Sequence, residues 1–204
     1  MRSCACVCTV IALGTITIAC GGSASRQQAA RETGQGAPAA ATGAGPSARA
    51  IEVFGSQAPV EPVEFELLAP LLPAFSSWER GEIQGEKTLT PVSLSQVQVD
   101  YRRGAATINA SIVDSGFNQS FMAPFALFLV QGYSKETPTG YEKAVRTGDY
   151  PGWERWDSDT RNGELNVLVA RRYLVQLDGI DIEDTKVLHE LLQKFDLRKL
   201  GEVK

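Results

Sequence analysis

Gln96–Ile112 reads QVQVDYRRGAATINASI, and this stretch decides the fold. Val97, Val99 and Tyr101 alternate with Gln96, Gln98 and Asp100. Ala106, Ile108, Ala110 and Ile112 alternate with Thr107, Asn109 and Ser111. A period of two places one set on a buried face and the other toward water. The two runs flank Arg103-Gly104, so they form a hairpin with a glycine-assisted turn.

Working outward, Val63–Leu72 predicts a short helix with Phe65, Leu68 and Leu72 on one side, disturbed at its end by Pro70 and Pro73. Trp78–Ile83 reads as a first strand. Phe117–Val130 is almost wholly apolar, with Phe117, Phe121, Phe125 and Phe128 near helical spacing and a kink due at Pro124. It predicts a central helix packed on a sheet; the sharper reading makes it the wall of a pocket for a small apolar ligand. Tyr133–Thr147 predicts a hairpin about Thr139-Gly140. Pro151-Gly152 marks a turn before Trp153–Trp156, and Asn162-Gly163 marks a tight hairpin. Leu165, Val167 and Val169 alternate, as do Tyr173, Val175 and Leu177 beyond a turn at 170–172. Val187, Leu188, Leu191, Leu192 and Phe195 form the stripe of a last helix, which Asp181 or Asp184 could cap. The order is helix, three strands, helix, about five strands, helix. That predicts an α+β fold, a two-layer antiparallel sheet with packed helices. Trp78-Glu79-Arg80 and Trp153-Glu154-Arg155 each open a strand group, which raises a weak internal duplication beside plain coincidence.

The chain upstream has a different character. Arg2 precedes an uncharged apolar run, Cys4–Ala19, too short to span a bilayer comfortably but suited to a signal segment. It ends Thr17-Ile18-Ala19-Cys20-Gly21-Gly22, which resembles the lipobox of bacterial lipoproteins, although Thr17 stands where an aliphatic residue is usual. The resemblance covers about the first 22 residues. It implies a signal peptide over 1–19, lipidation of Cys20 and a membrane anchor of acyl chains (palmitate among them). The missing Asp after Cys20 resembles lipoproteins of the outer membrane that face the periplasm. The competing readings are an uncleaved apolar terminus and ordinary cleavage after Ser25.

Residues 21–50 contain no Leu, Ile, Val or aromatic residue and cannot bury enough surface to offset their ordering entropy. Residues 20–50 are thus read as a lipidated flexible tether spanning roughly 30 Å as a coil, and 51–204 as the globular domain. All four cysteines lie at or before Cys20, so the domain has no thiol for a disulfide, nucleophile or metal. Residues 1–50 carry +3, which leaves −7 on 51–204 against −4 overall. Such a domain repels phosphate backbones, and no nucleic-acid partner is expected. The segments Gly140-Tyr141-Glu142-Lys143, Gly163-Glu164-Leu165 and Val167-Leu168-Val169 loosely resemble uncharacterised bacterial envelope domains.

Candidate chemistry is thin. His189, the one histidine, points away from the Leu188/Leu191/Leu192 stripe and is expected in solvent without a catalytic role. Asp157 and Asp159 fit the first places of a calcium loop, but Arg161 occupies a ligand place and Gly163 falls one position late; a polar turn is preferred and no metal is expected. Glu82, Glu86 and the carboxylates of 181–184 would need to converge before they could act as acid and base. Trp153 and Trp156, three apart on a strand, face opposite ways, leaving one for a sugar or peptide and one for the core. The expectation is therefore a non-enzymatic envelope lipoprotein without a cofactor, binding an envelope protein or ligand or acting structurally. The alternative is a carrier of a small apolar ligand in a pocket lined by Phe117–Val130; a hydrolase using carboxylates alone is the third class.

Overall fold

The computed structural model describes residues 57–126, 129 and 132–204. The signal, tether and Cys20 readings, Phe128 and Val130 lie outside them. Nine strands form one antiparallel sheet in the order β1-β3-β4-β9-β8-β7-β6-β5, with β2 also paired to β3. The strands are β1 Glu79–Arg80, β2 Gln84–Thr88, β3 Leu94–Arg103, β4 Ala106–Asp114, β5 Ser134–Thr137, β6 Gly140–Thr147, β7 Tyr150–Asp157, β8 Asn162–Val169 and β9 Tyr173–Ile180. Short helices accompany them: α1 Phe65–Leu68 with a 3₁₀ turn Ala69–Leu71, α2 Gln119–Met122 with a 3₁₀ turn Ala123–Phe125, α3 Lys186–Leu192 and α4 Leu197–Glu202. The fold is a sheet-dominated α+β architecture.

The β3–β4 hairpin forms as expected, with Val97 opposite Ile112, Val99 opposite Ala110 and a left-handed Gly104 in the turn. Its apolar side joins Leu165, Val167, Val175 and Leu177 of β8 and β9 in the main core, with Leu68 and Leu72 from the first helical segment and Leu188, Leu191 and Leu192 from α3. Two buried tyrosines fasten the flanking segments to this face: Tyr101 donates to the Pro73 carbonyl at 2.5 Å and Tyr173 to the Val203 carbonyl at 2.9 Å. A smaller core on the opposite face gathers Val113, Leu168, Leu174 and Trp153 with Met122, Ala126 and Leu129.

At one end of the sheet the fold is tied by a buried ion pair. Asp114 accepts from Arg172 Nε at 2.8 Å and Nη2 at 2.7 Å, and from the backbone N–H groups of Val63 and Gly116, each at 2.9 Å. Both side chains are buried or nearly so. Every acceptor position of the carboxylate is thereby used, which is the condition for a buried charge to be tolerated.

Several expectations are corrected. Pro151-Gly152 is not a turn but lies inside β7; the turn is at Gly148-Asp149, with Gly148 left-handed. Pro151 is tolerated because it pairs with β6 alone, the β7–β8 register beginning at Gly152. Asn162-Gly163 opens β8 rather than turning; residues 158–161 turn, held by Asp157 Oδ1 accepting from the Thr160 N–H at 2.9 Å. Gly163 and Gly179, paired across β8 and β9, instead leave room for Ile182 and Leu188, whose methyls would meet an added Cβ at 2.6–3.3 Å. The central helix over Phe117–Val130 does not form as one piece. Asn118 Oδ1 caps it, accepting from Ser120 and Phe121 N–H at 3.0 and 3.3 Å, so Phe117 stays outside with φ 61°. Pro124 then brings a 3₁₀ turn. Trp78–Ile83 contributes only β1, and β2 follows it unforeseen. Trp78 precedes the short edge strand β1, whereas Trp153-Glu154-Arg155 lies within β7 between two paired neighbours.

Candidate functional site

Alternation along β7 sends Trp153 to one face and Glu154 and Trp156 to the other, where α3 packs. Glu154, only 2% exposed, becomes the hub of a polar cluster in an otherwise apolar interface. Tyr141 of β6 donates its hydroxyl to Glu154 Oε1. Thr185, just before α3, donates to the same oxygen at 3.2 Å and lies 3.1 Å from the Tyr141 hydroxyl. His189 Nε2 meets Glu154 Oε2, and Lys143 Nζ lies 3.3 Å from Oε1. Thr185 and His189 are four residues apart, which on a helix puts them on one side.

Burial opposes the charge on Glu154, but the hydrogen bonds from His189 and Tyr141 and the charge of Lys143 outweigh it and hold the carboxyl at about 2. Burial, and the bond to that carboxylate, push the Tyr141 phenol up. The chemical reading follows from connectivity. In a nucleophile–base–acid relay the base stands between the other two groups. Here Thr185, Tyr141 and His189 Nε2 all converge on the carboxylate itself, so the cluster anchors α3 to the β6–β7 pair.

His189 is thus not free in solvent. Its side chain is 39% exposed and engaged by Glu154. The helical wheel placed it correctly off the apolar stripe; the sheet is wide enough that this flank of α3 still meets β7. Nothing in the sequence marked Glu154 or Tyr141 beyond alternation, because the partners come from three separate elements.

The predicted aromatic site is only partly assembled. Phe125 stacks on Trp153, centroids 4.9 Å apart and planes at 20°, and Phe121 meets Phe125 edge-on at 6.1 Å. Trp153 is 4% exposed and serves the smaller core, so it offers no open ring to a sugar or peptide. Trp156 is half-buried against the main core on the other face. Phe117 lies apart, its ring 5.6 Å from the Arg172 guanidinium.

Of the remaining candidates, Asp181, Glu183 and Asp184 share the lining of one cleft, while Glu82 and Glu86 lie elsewhere. Asp157 is occupied by Thr160 and Thr139, and among the described residues no three His, Cys, Asp or Glu side chains gather to hold a metal. Asp181 pairs with Arg161 at 3.1 Å and Asp184 with Lys186 at 3.0 Å. These pairs line an open cleft of about 580 Å³ with Trp78, Arg103 and Glu190. The Arg103 guanidinium sits 4.5 Å over the Trp78 ring. Glu82 and Glu86 are exposed near the β2 edge. Among the described residues no helix is long and apolar enough to cross a membrane. Compared with known proteins, the chain matches no family model, no curated protein and no solved structure.

Proposed function

We propose that this chain is a lipid-anchored envelope protein whose domain, 51–204, is a non-enzymatic binding or structural module. Residues 1–19 act as the signal peptide, Cys20 carries the lipid, and the rest of 20–50 is the spacer that holds the domain off the headgroups. The observation that carries the reading is the run Thr17–Gly22 at the end of an uncharged apolar segment. A diacylglyceryl group on the Cys20 sulfur and an acyl chain on its amino nitrogen, three acyl chains at about 0.8 kcal/mol per buried methylene, would make membrane attachment effectively permanent without a spanning helix. The absence of Asp after Cys20 supports a location at the outer membrane, facing the periplasm.

The Glu154 cluster supports a binding over a catalytic role, since both hydroxyls and His189 Nε2 are directed at one carboxylate. The stacking of Phe125 on Trp153 favours a packed segment over a carrier pocket along Phe117–Val130. The domain is read as two layers, sheet and helices, with α2 on the opposite face at one end. The weak duplication would match the path β1-β3-β4 to β7-β8-β9, and a superposition of the two halves tests it. Fractionation tests the function: wild type is expected in the membrane fraction and resistant to high salt, and Cys20→Ala in the soluble fraction with the same thermal melt. Equal distribution of the two would overturn the reading.

A further inference from the structure

The main-core face of the sheet is covered by two separate segments, the α1 region over β2 and β3 and α3 over β8 and β9. At the end of the sheet by the β3–β4 turn they part, and the open cleft of about 580 Å³ lies there. One wall is Trp78 with Arg103 and Ala105 of the turn. The other is the loop 181–184 and the side of α3 that carries Lys186, Val187 and Glu190, three or four residues apart. The loop is held in place. Arg161 donates to the Ile182 carbonyl at 3.2 Å and pairs with Asp181 at 3.1 Å, while the Ile182 N–H donates to the Arg161 carbonyl at 3.1 Å. Asp184 pairs with the Lys186 ammonium at 3.0 Å and accepts from its backbone N–H at 2.9 Å. Those two pairs use four of the seven charged groups on the cleft. Three remain: Arg103 on the first wall, Glu183 and Glu190 on the second. Among the described residues none of the three has an ion pair or a side-chain hydrogen bond. Arg103 is braced instead by the Trp78 ring, 4.5 Å from its guanidinium, and Phe75 stacks on that ring in turn, centroids 5.6 Å apart. The Trp78 N–H is closed off from solvent, so the indole serves as a brace and not as a donor.

Opposite charges that line one cleft from its two walls, yet stand too far apart to pair, leave room for a molecule between them. A ligand with both charges satisfies each wall. A purely cationic ligand would meet Arg103 as a like charge, and a purely anionic one would meet Glu183 and Glu190. We propose that this cleft binds a short peptide with free termini, its carboxylate on Arg103 and its ammonium between Glu183 and Glu190. The inference rests on the binding-module reading and names the class of ligand. A guanidinium braced on an aromatic ring presents its fork to a carboxylate with little freedom left to lose. The three N–H donors of an ammonium suit two carboxylates. An extended tripeptide is about 10 Å long, and the cleft falls within the roughly 300–1,000 Å³ of small-ligand sites. Ala105, Ala106 and Val187 line it with short apolar side chains, which favours small residues in the peptide.

The test uses the full chain in neutral detergent at pH 7 and low ionic strength, titrated in a calorimeter with trialanine, N-acetyl-trialanine and trialanine amide. Trialanine is expected to saturate a single site, and each blocked peptide to bind about tenfold or more weaker, the scale of a lost charge-assisted hydrogen bond. Arg103→Gln should weaken trialanine by a similar factor and erase its preference over the amide while keeping its preference over the acetylated form. Glu183→Gln combined with Glu190→Gln should do the reverse. Arg102→Gln, the same charge change one residue earlier and outside the cleft, should alter affinity less than twofold. No saturable binding at about 1 mM trialanine, equal binding of the three peptides, or equal effects of Arg103→Gln and Arg102→Gln would overturn the proposal. All four side chains are exposed, and a thermal melt of each variant separates misfolding from lost recognition. The acyl state of Cys20 does not enter the assay, so its failure would leave the anchoring reading standing.

Discussion

Asp114→Ala is expected to be the most damaging single change in the domain. The substitution removes four accepted hydrogen bonds at 2.7–2.9 Å and leaves the Arg172 guanidinium, whose side chain is 10% exposed, without a counter-charge. Breaking a buried pair from one side costs about 3–5 kcal/mol, because the surviving charge stays desolvated. The backbone N–H groups of Val63 and Gly116 lose their acceptor as well, which places the expected cost at the upper end of that range. For a domain of this size 1 kcal/mol moves the melting midpoint by about 2–4 °C, so the midpoint should drop by roughly 6–20 °C at pH 7. The loss should also be felt locally. Val60 and Val63 bond to Gly116 and Asp114 and fix the chain where it enters the sheet, so proteolysis around 57–63 should become faster. Circular dichroism melts and limited proteolysis read both effects. Adding Arg172→Met removes the orphaned charge, and the double variant should regain at least about 1 kcal/mol over Asp114→Ala alone. A single variant within 1 kcal/mol of wild type, or a double variant no better than the single, would refute this account of the sheet end.

Two further stability outcomes follow from the acidic groups. The Glu154 carboxyl is held at about 2, below the ordinary carboxylate range, so its contribution is present above pH 4.5 and is lost as the pH falls from there toward 2. Glu154→Gln should cost about 1–3 kcal/mol at pH 7, discounted for the half-exposed Lys143 and His189, and should flatten the acid limb in urea titrations. An unchanged acid limb would contradict the hub. Asp178, half-buried opposite Glu164 and without an ion pair among the described residues, behaves with the opposite sign: its carboxyl is raised to about 6, so wild type loses stability as the pH rises from 4 to 6. Asp178→Asn should therefore be more stable at pH 7 by about 1–2 kcal/mol, after allowance for its partial exposure, and should melt about 2–8 °C higher. An equal or lower melt at pH 7 would contradict the unpaired charge.

The elements legible in the sequence were those with a strong period. The β3–β4 hairpin and strands β8 and β9 show because every second residue is apolar, and α3 shows because Val187, Leu188, Leu191 and Leu192 share a side. Turns were less legible, since the same residues serve two purposes. Gly163 reads as a turn residue but is needed small beneath Ile182 and Leu188, while Asp157 turns the chain through its own side chain. Asp196 caps α4 by accepting from the Lys199 N–H at 2.9 Å, a signal present in the sequence but hidden behind the longer stripe before it. The sites were least legible. Glu154 and Asp178 look like ordinary strand carboxylates; only register reveals that one meets four donors and the other meets another carboxylate.

The central claim is chemical and is tested most directly by the mass of the mature N-terminus. The full-length gene product, purified from membranes and digested, should yield a first peptide that begins at Cys20 and carries a diacylglyceryl group and an N-linked acyl chain, with Met1–Ala19 absent. A peptide that retains residues 1–19, or one that begins after Ser25 with no acyl mass on Cys20, would contradict the account.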